Sequence, residues 1–244
     1  MDTNKYPLPD QLSIPYNKLD NLISSIESIH QKLSNLEIKV DNLTNIVNSM
    51  ANCKTKEIDP TEICLCVGIR VPPEVRNQLC EFRDNIKKNN QFKEYRQDDD
   101  FHITLHFLGK VEKSRIPEIQ EILQKIANNY SVFEISLGKP GTLGSNTRPN
   151  VLFIQPDGDF RSLYDLGMKI RKSCDEKGFN TDKFDDYEPH ISIATNFRSN
   201  EDFVQIPHDI YPPKLSFTVN KFELLQATNS KDAKYLTLSE FELK

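Results

Sequence analysis

At 244 residues, 37% hydrophobic and 27% charged, the chain has material for one substantial domain plus an appendage. No apolar run approaches the ~18 residues of a membrane span, and the first 16 residues, broken by Pro7, Pro9 and Pro15, lack the basic start and apolar middle of a signal peptide, so a soluble, cytoplasmic protein is expected. A formal net charge of −5 supplies no basic field of the kind that holds long nucleic acid through counterion release, which points to a small nucleotide or one RNA end rather than a long duplex.

Residues 1–16 are expected to be a disordered tail. From 17 to 51 the sequence predicts a coiled-coil helix: Leu19, Leu22, Ile26, Ile29, Leu33, Leu36, Val40, Leu43, Val47 and Met50 follow the alternating three-four spacing of a heptad seam. A helix packing on its own domain would more often carry a wider apolar stripe. Leu, Ile and Val mix along the seam, and Ile23 and Ile46 broaden it, so dimer, trimer and tetramer all remain open. Residues 52–60, polar and ending in Pro60, read as a linker.

From 61 to 244 a single catalytic domain is expected, with strand 62–70, helix 73–88, strand 101–109, helix 113–128, strands 131–137 and 150–156, helix 159–177, strand 189–195, and strands 215–226 and 233–243. Pro72-Pro73 and Asp159 mark helix starts. Strand, helix and strand recur: Glu62 to His102 and Asn150 to His190 are both intervals of 40 residues, which predicts two similar lobes about a pseudo-twofold axis. The glycines of KPGTLGSNTRPN (139–150) are not followed by GK[ST] or a helix, so they predict a loop rather than a phosphate-binding P-loop. Cysteines at 53, 64, 66, 80 and 174 show neither a disulfide framework nor zinc spacing.

Two strings carry the chemistry, His102-Ile-Thr104 and His190-Ile-Ser192, each within an apolar run. Strand side chains alternate faces, so each histidine projects with its hydroxyl partner while Ile103, Leu105 and Phe107, or Ile191 and Ile193, point to the other side. Two imidazoles and two hydroxyls on one surface are the inventory for adding water or a sugar hydroxyl across a phosphodiester. One imidazole takes a proton, the other gives one, and the hydroxyls hold the non-bridging oxygens as charge develops. His106 shares the predicted face of His102 and Thr104, so alternation alone does not choose between the two histidines.

At these motifs the chain resembles the 2H phosphoesterase superfamily, the LigT-like or 2',5' RNA ligase-like proteins, defined by two His-x-Thr/Ser motifs on two strands. CLCVGIRVPP (64–73) is similar to the family's first strand and helix start, FHITLHFLGKV (101–111) and YEPHISIAT (187–195) to the motif strands, and LSFTVNKFELLQ with KYLTLSEFELK to its closing hairpin. The resemblance covers about residues 60–244. It implies an α+β, two-lobed LigT-like fold with antiparallel sheets lining a central cleft. It also implies a metal-independent hydrolase without cofactor, with His102 and His190 as acid and base and Thr104 and Ser192 as phosphate donors. Implied substrates are 2',3'-cyclic phosphates at RNA ends, 2',5'-oligoadenylates and cyclic dinucleotides with a 2',5' bond such as 2',3'-cyclic GMP-AMP. For a chain of viral origin, which the Asn-, Lys- and Ile-rich composition suggests, removing a 2',5'-linked immune signalling nucleotide is the natural use, ranked just above RNA-end processing.

Around that quartet, His106 is expected as a structural or supporting group near the cleft end. Arg148 and Arg198, with Lys110 and Lys139, are candidates for phosphate charge, and Tyr187, Phe197 and Tyr235 for stacking a base. A metal site on His102, His106 and His190, with Asp98–Asp100 or Asp185–Asp186, is the weaker alternative, since acidic runs before strands are usually solvated turns. From another class, a non-catalytic oligomeric scaffold that binds nucleotide or RNA is the rival. Four intact motif residues argue against it.

Overall fold

A computed structural model of the chain describes residues 23–34, 61–89, 92–179, 187–228 and 234–244. These fall in two units. The first contains helix α1, residues 23–34, on which Ile26, Ile29 and Leu33 of the predicted seam are all more than half exposed and Ile23 is exposed beside them. The tail 1–16, the remainder of the predicted coiled coil and the linker 52–60 lie outside the described residues. No described helix is long and apolar enough to cross a membrane.

The second unit runs β1 (Glu62–Arg70), α2 (Pro73–Asn89), β2 (Phe92–Tyr95), β3 (His102–Glu112), α3 (Ile116–Ala127), β4 (Phe133–Gly144), β5 (Pro149–Gly158), α4 (Phe160–Asp175), β6 (Ile191–Phe197), β7 (Ser216–Val219), β8 (Lys221–Ala227) and β9 (Tyr235–Glu242). All pairings are antiparallel, in the order β7-β4-β5-β6-β3-β1-β8-β9, with β2 added on β6. The order repeats outward from the β6–β3 seam: a motif strand, then the strand that opens its lobe, then two more. The predicted lobes are therefore halves of one curled sheet.

Helix stripes at the α period cover one face. Val75, Leu79, Phe82 and Ile86 of α2, Ile119, Leu123 and Ile126 of α3, and Leu163, Leu166 and Ile170 of α4 share one core with Leu65, Val67, Ile103, Leu105, Ile191 and Ile193. Asp159 caps α4, its carboxylate accepting from the Ser162 N–H at 3.0 Å.

Three elements differ from expectation. β4 continues to Gly144, so the predicted loop 139–150 shrinks to the turn 145–148. Gly141 lets the strand pass, because a Cβ there would lie 2.5 Å from the Phe153 ring, and Gly144 closes the turn at φ +98°. The predicted strand 215–226 is two strands, β7 pairing with β4 and β8 with β1, so the chain crosses between lobes at Asn220. β2, four residues long, has too few positions for a period to register.

Candidate active site

The two motif strands meet at one registered pair, Ile103 opposite Ile191. In antiparallel register this sets His102 across from Ser192 and Thr104 across from His190, so each histidine's neighbour is the other motif's hydroxyl. Both isoleucines are buried in the helix-side core, which turns the quartet to the opposite face.

Each imidazole is held the same way. His102 Nδ1 lies 2.7 Å from the Asp100 carbonyl and His190 Nδ1 2.9 Å from the Glu188 carbonyl, in each case two residues upstream. A carbonyl only accepts, so both Nδ1 atoms carry hydrogen and donate, and each neutral ring keeps its Nε2 lone pair for the cleft. One aromatic ring flanks each histidine: Tyr235 packs edge-on to His102 at 4.5 Å between centroids, and Phe153 lies 5.2 Å from His190. Asp100 ties the first motif to β9. Its buried carboxylate accepts from the Lys234 and Tyr235 N–H groups at 2.9 and 3.2 Å, so the acidic run before β3 is not simply a solvated turn.

Both histidines resist protonation where the fold holds them. Burial, reinforced by the positive charge of Arg96, pushes His102 down to about 3. His190 is lowered chiefly by burial, opposed by its Glu188 contacts and assisted by Arg96.

The expectation that His106 shares the face of His102 is corrected. β3 has a bulge at Leu105: Thr104 pairs with Gly68 and His106 with Val67, so one residue of β1 faces two of β3 and the alternation resets. His106 turns to the helix side, with Nε2 4.0 Å from Asp175 of α4, and burial lowers it to about 4, which leaves it neutral rather than ion-paired at neutral pH. β6 bulges at the matching position, Ile193, three residues past His190 as Leu105 is past His102. Ala194, the counterpart of His106, lies in the core.

The other named candidates do not gather at the quartet. Tyr187 is packed against α4, where a Cβ on Gly167 would lie 2.4 Å from its ring, and its hydroxyl donates to the Thr104 carbonyl at 3.2 Å. Phe197 packs edge-on between Phe92 and Phe203. Arg148 is exposed and donates to the Ser199 carbonyl, and Arg198, Lys110 and Lys139 are exposed. Of the proposed stacking aromatics, Tyr235 alone contacts a motif histidine. Sequence reasoning missed Phe153 and Arg96, and considered Asp100 only as a metal carboxylate or part of a solvated turn. The alternation of β5 opposite Ser192 could have found Phe153, whereas Arg96 depends on the unpredicted pairing of β2 with β6. Among the described residues no cluster of three His, Cys, Asp or Glu side chains could hold a metal ion.

Neutral imidazoles withdrawn from water make stability depend on pH. In the unfolded chain each takes a proton below about 6.5, whereas in the fold His102 and His106 do so only near 3 and 4. The unfolded state therefore binds more protons as pH falls, and stability fully present above about 6.5 drains away toward the folded values. Thermal melts should give a lower Tm at pH 5 than at pH 7, with a smaller drop in His106→Gln; equal drops would show that His106 is not buried neutral.

The model of the 2'-5' RNA ligase superfamily matches residues 71–231. A Bacillus subtilis (strain 168) protein named RNA 2',3'-cyclic phosphodiesterase is 25% identical over 178 residues, covering 72% of this chain and 94% of that one. A Thermotoga maritima protein of the same name is 24% identical over 162 residues, 66% of this chain and 85% of that one. Among solved structures, E. coli LigT complexed with 3'-AMP superimposes with a TM-score of 0.64 at 21% identity, covering 75% of this chain and 99% of LigT, and TT0787 of Thermus thermophilus also gives 0.64 at 20% identity, covering 74% and 98%. With the family model covering well over half its length and the LigT-like fold in place, the chain belongs to the 2'-5' RNA ligase superfamily and is a hydrolase of the 2H phosphoesterase class.

Proposed function

We propose that the chain is a metal-independent phosphodiesterase that opens 2',3'-cyclic phosphates at RNA ends or on nucleotides and cleaves 2',5'-linked diesters by the same step. The carrying observation is the crossed quartet, two imidazoles with free Nε2 atoms and two hydroxyls around the β3–β6 seam. Water adds to phosphorus and gives its proton to one neutral imidazole; one bridging P–O bond breaks; and the other imidazole, which takes a proton from solvent at Nε2 as the diester anion binds, passes it to the departing sugar oxygen, leaving a phosphomonoester. Thr104 and Ser192 donate to the non-bridging oxygens. The names of the bacterial relatives support the cyclic phosphate as first substrate, ahead of the 2',5'-linked signalling nucleotide.

The test is a product assay on 2',3'-cyclic nucleotides, a 2',3'-cyclic RNA end, 2',5'-diadenylate, 2',3'-cyclic GMP-AMP and 3',5'-diadenylate, with and without excess EDTA. Turnover of cyclic or 2',5' substrates, unchanged by chelator and slow on the 3',5' bond, is expected. Loss in EDTA restored by zinc or manganese would refute the two-histidine mechanism.

The exposed Ile26, Ile29 and Leu33 of α1 support self-association through the 19–50 heptads. Light scattering at micromolar concentration should give an oligomer for the full chain and a monomer for residues 60–244, and the truncated protein should keep its turnover. A monomeric full chain would remove the coiled coil from the proposal.

A further inference from the structure

Arg96 lies in neither His-x-Thr/Ser motif, yet the fold carries it to the seam. It follows β2, and its backbone N–H donates to the Ile193 carbonyl at 2.9 Å, which anchors it on β6 at the bulge beside Ser192. Its side chain extends toward the first motif, with the guanidinium carbon 5.8 Å from the centroid of the Tyr235 ring that packs on His102. Its Nε is buried and has no hydrogen-bond partner among the described residues. Burying a guanidinium donor without an acceptor is costly, so the position of this group at the seam calls for an acceptor.

The neighbouring arginine shows the contrast. Arg70 is fully engaged, donating to the Glu223 carboxylate, Thr237 Oγ1 and the carbonyls of Asp99 and Tyr235. Arg96 also lowers the proton affinity of both motif histidines, which places its charge within reach of each. A diester anion would meet both needs. Its non-bridging oxygens would accept from the guanidinium fork, and its charge would offset the repulsion that Arg96 exerts on an imidazolium.

We propose that Arg96 binds the non-bridging oxygens of the scissile phosphate, as a cationic third arm beside Thr104 and Ser192. In a chain of net charge −5, this residue makes the cleft an anion site. The assignment rests on the phosphodiesterase activity proposed above, and its test separates the two.

The full chain is titrated with inorganic phosphate while the imidazole ring protons of His102 and His190 are followed by NMR, in the unmodified protein and in Arg96→Gln and Arg96→Lys. Loss of a charge-assisted hydrogen-bonded contact should weaken phosphate by about 10–100-fold in Arg96→Gln and by less in Arg96→Lys. On a cyclic substrate, kcat/KM should fall by a similar factor in Arg96→Gln. A purely structural Arg96 would lower Tm and leave the phosphate affinity of the folded protein unchanged, and that result overturns the proposal. So does an unmodified protein that binds no phosphate. If Arg96→Gln does not fold, Arg96→Lys decides: weaker phosphate supports the assignment, unchanged phosphate ends it. Should no nucleotide be hydrolysed while phosphate binding still depends on Arg96, the activity fails and the anion site stands.

Discussion

His102→Ala and His190→Ala should each lower turnover on the best substrate by about 10²–10⁴-fold, the range for a positioned general acid or base. The fold should survive, because both rings face the cleft while Ile103 and Ile191 carry the core contacts of the same strands. The double variant should lose less than the product of the single losses, since the two imidazoles act in one step. His106→Ala should affect turnover least of the three, because the bulge at Leu105 sends His106 to α4. Steady-state kinetics with product separation provide the measurement. Near-normal turnover in His102→Ala, or its abolition in His106→Ala, would reverse the assignment of the first motif.

Thr104→Ala and Ser192→Ala should follow with losses of roughly 10²–10³-fold or below, the scale of one donor to a developing oxyanion. The register makes a further distinction. Because Ser192 lies across from His102 and Thr104 across from His190, coupling in double-variant cycles should be stronger for His102 with Ser192 than for His102 with Thr104. Each cycle compares kcat/KM of two single variants with that of the double. Stronger coupling within a motif than across the seam would contradict the crossed arrangement.

The faces of the motif residues were legible in the sequence. The histidine-hydroxyl strings lie in apolar runs whose period of two assigns a face, and that face agrees with the structure over His102–Thr104, ahead of the bulge. The 40-residue recurrence appears as the outward repetition of strand order from the seam. What failed had a physical cause in each case. A bulge adds one residue without changing composition, so His106 kept the apparent phase of His102 while changing faces. The alternation in 215–226 slips at Asn220-Lys221, from Leu215, Phe217 and Val219 to Phe222 and Leu224, a phase change that marks the break although the separate partners of the two halves are set only by the sheet.

The sequence by itself determined the chemistry on offer: two imidazoles, two hydroxyls and the strands that bear them. These are short-range facts, set by alternation and by chain connectivity within a few residues. Only the tertiary structure decided which groups stand together. The single registered pair Ile103–Ile191 crosses the motifs, the β2–β6 pairing brings Arg96 to the seam, and β9 lays Tyr235 against His102. Pairing between strands distant in sequence depends on the burial of both partners at once, and no local pattern along one chain segment encodes it.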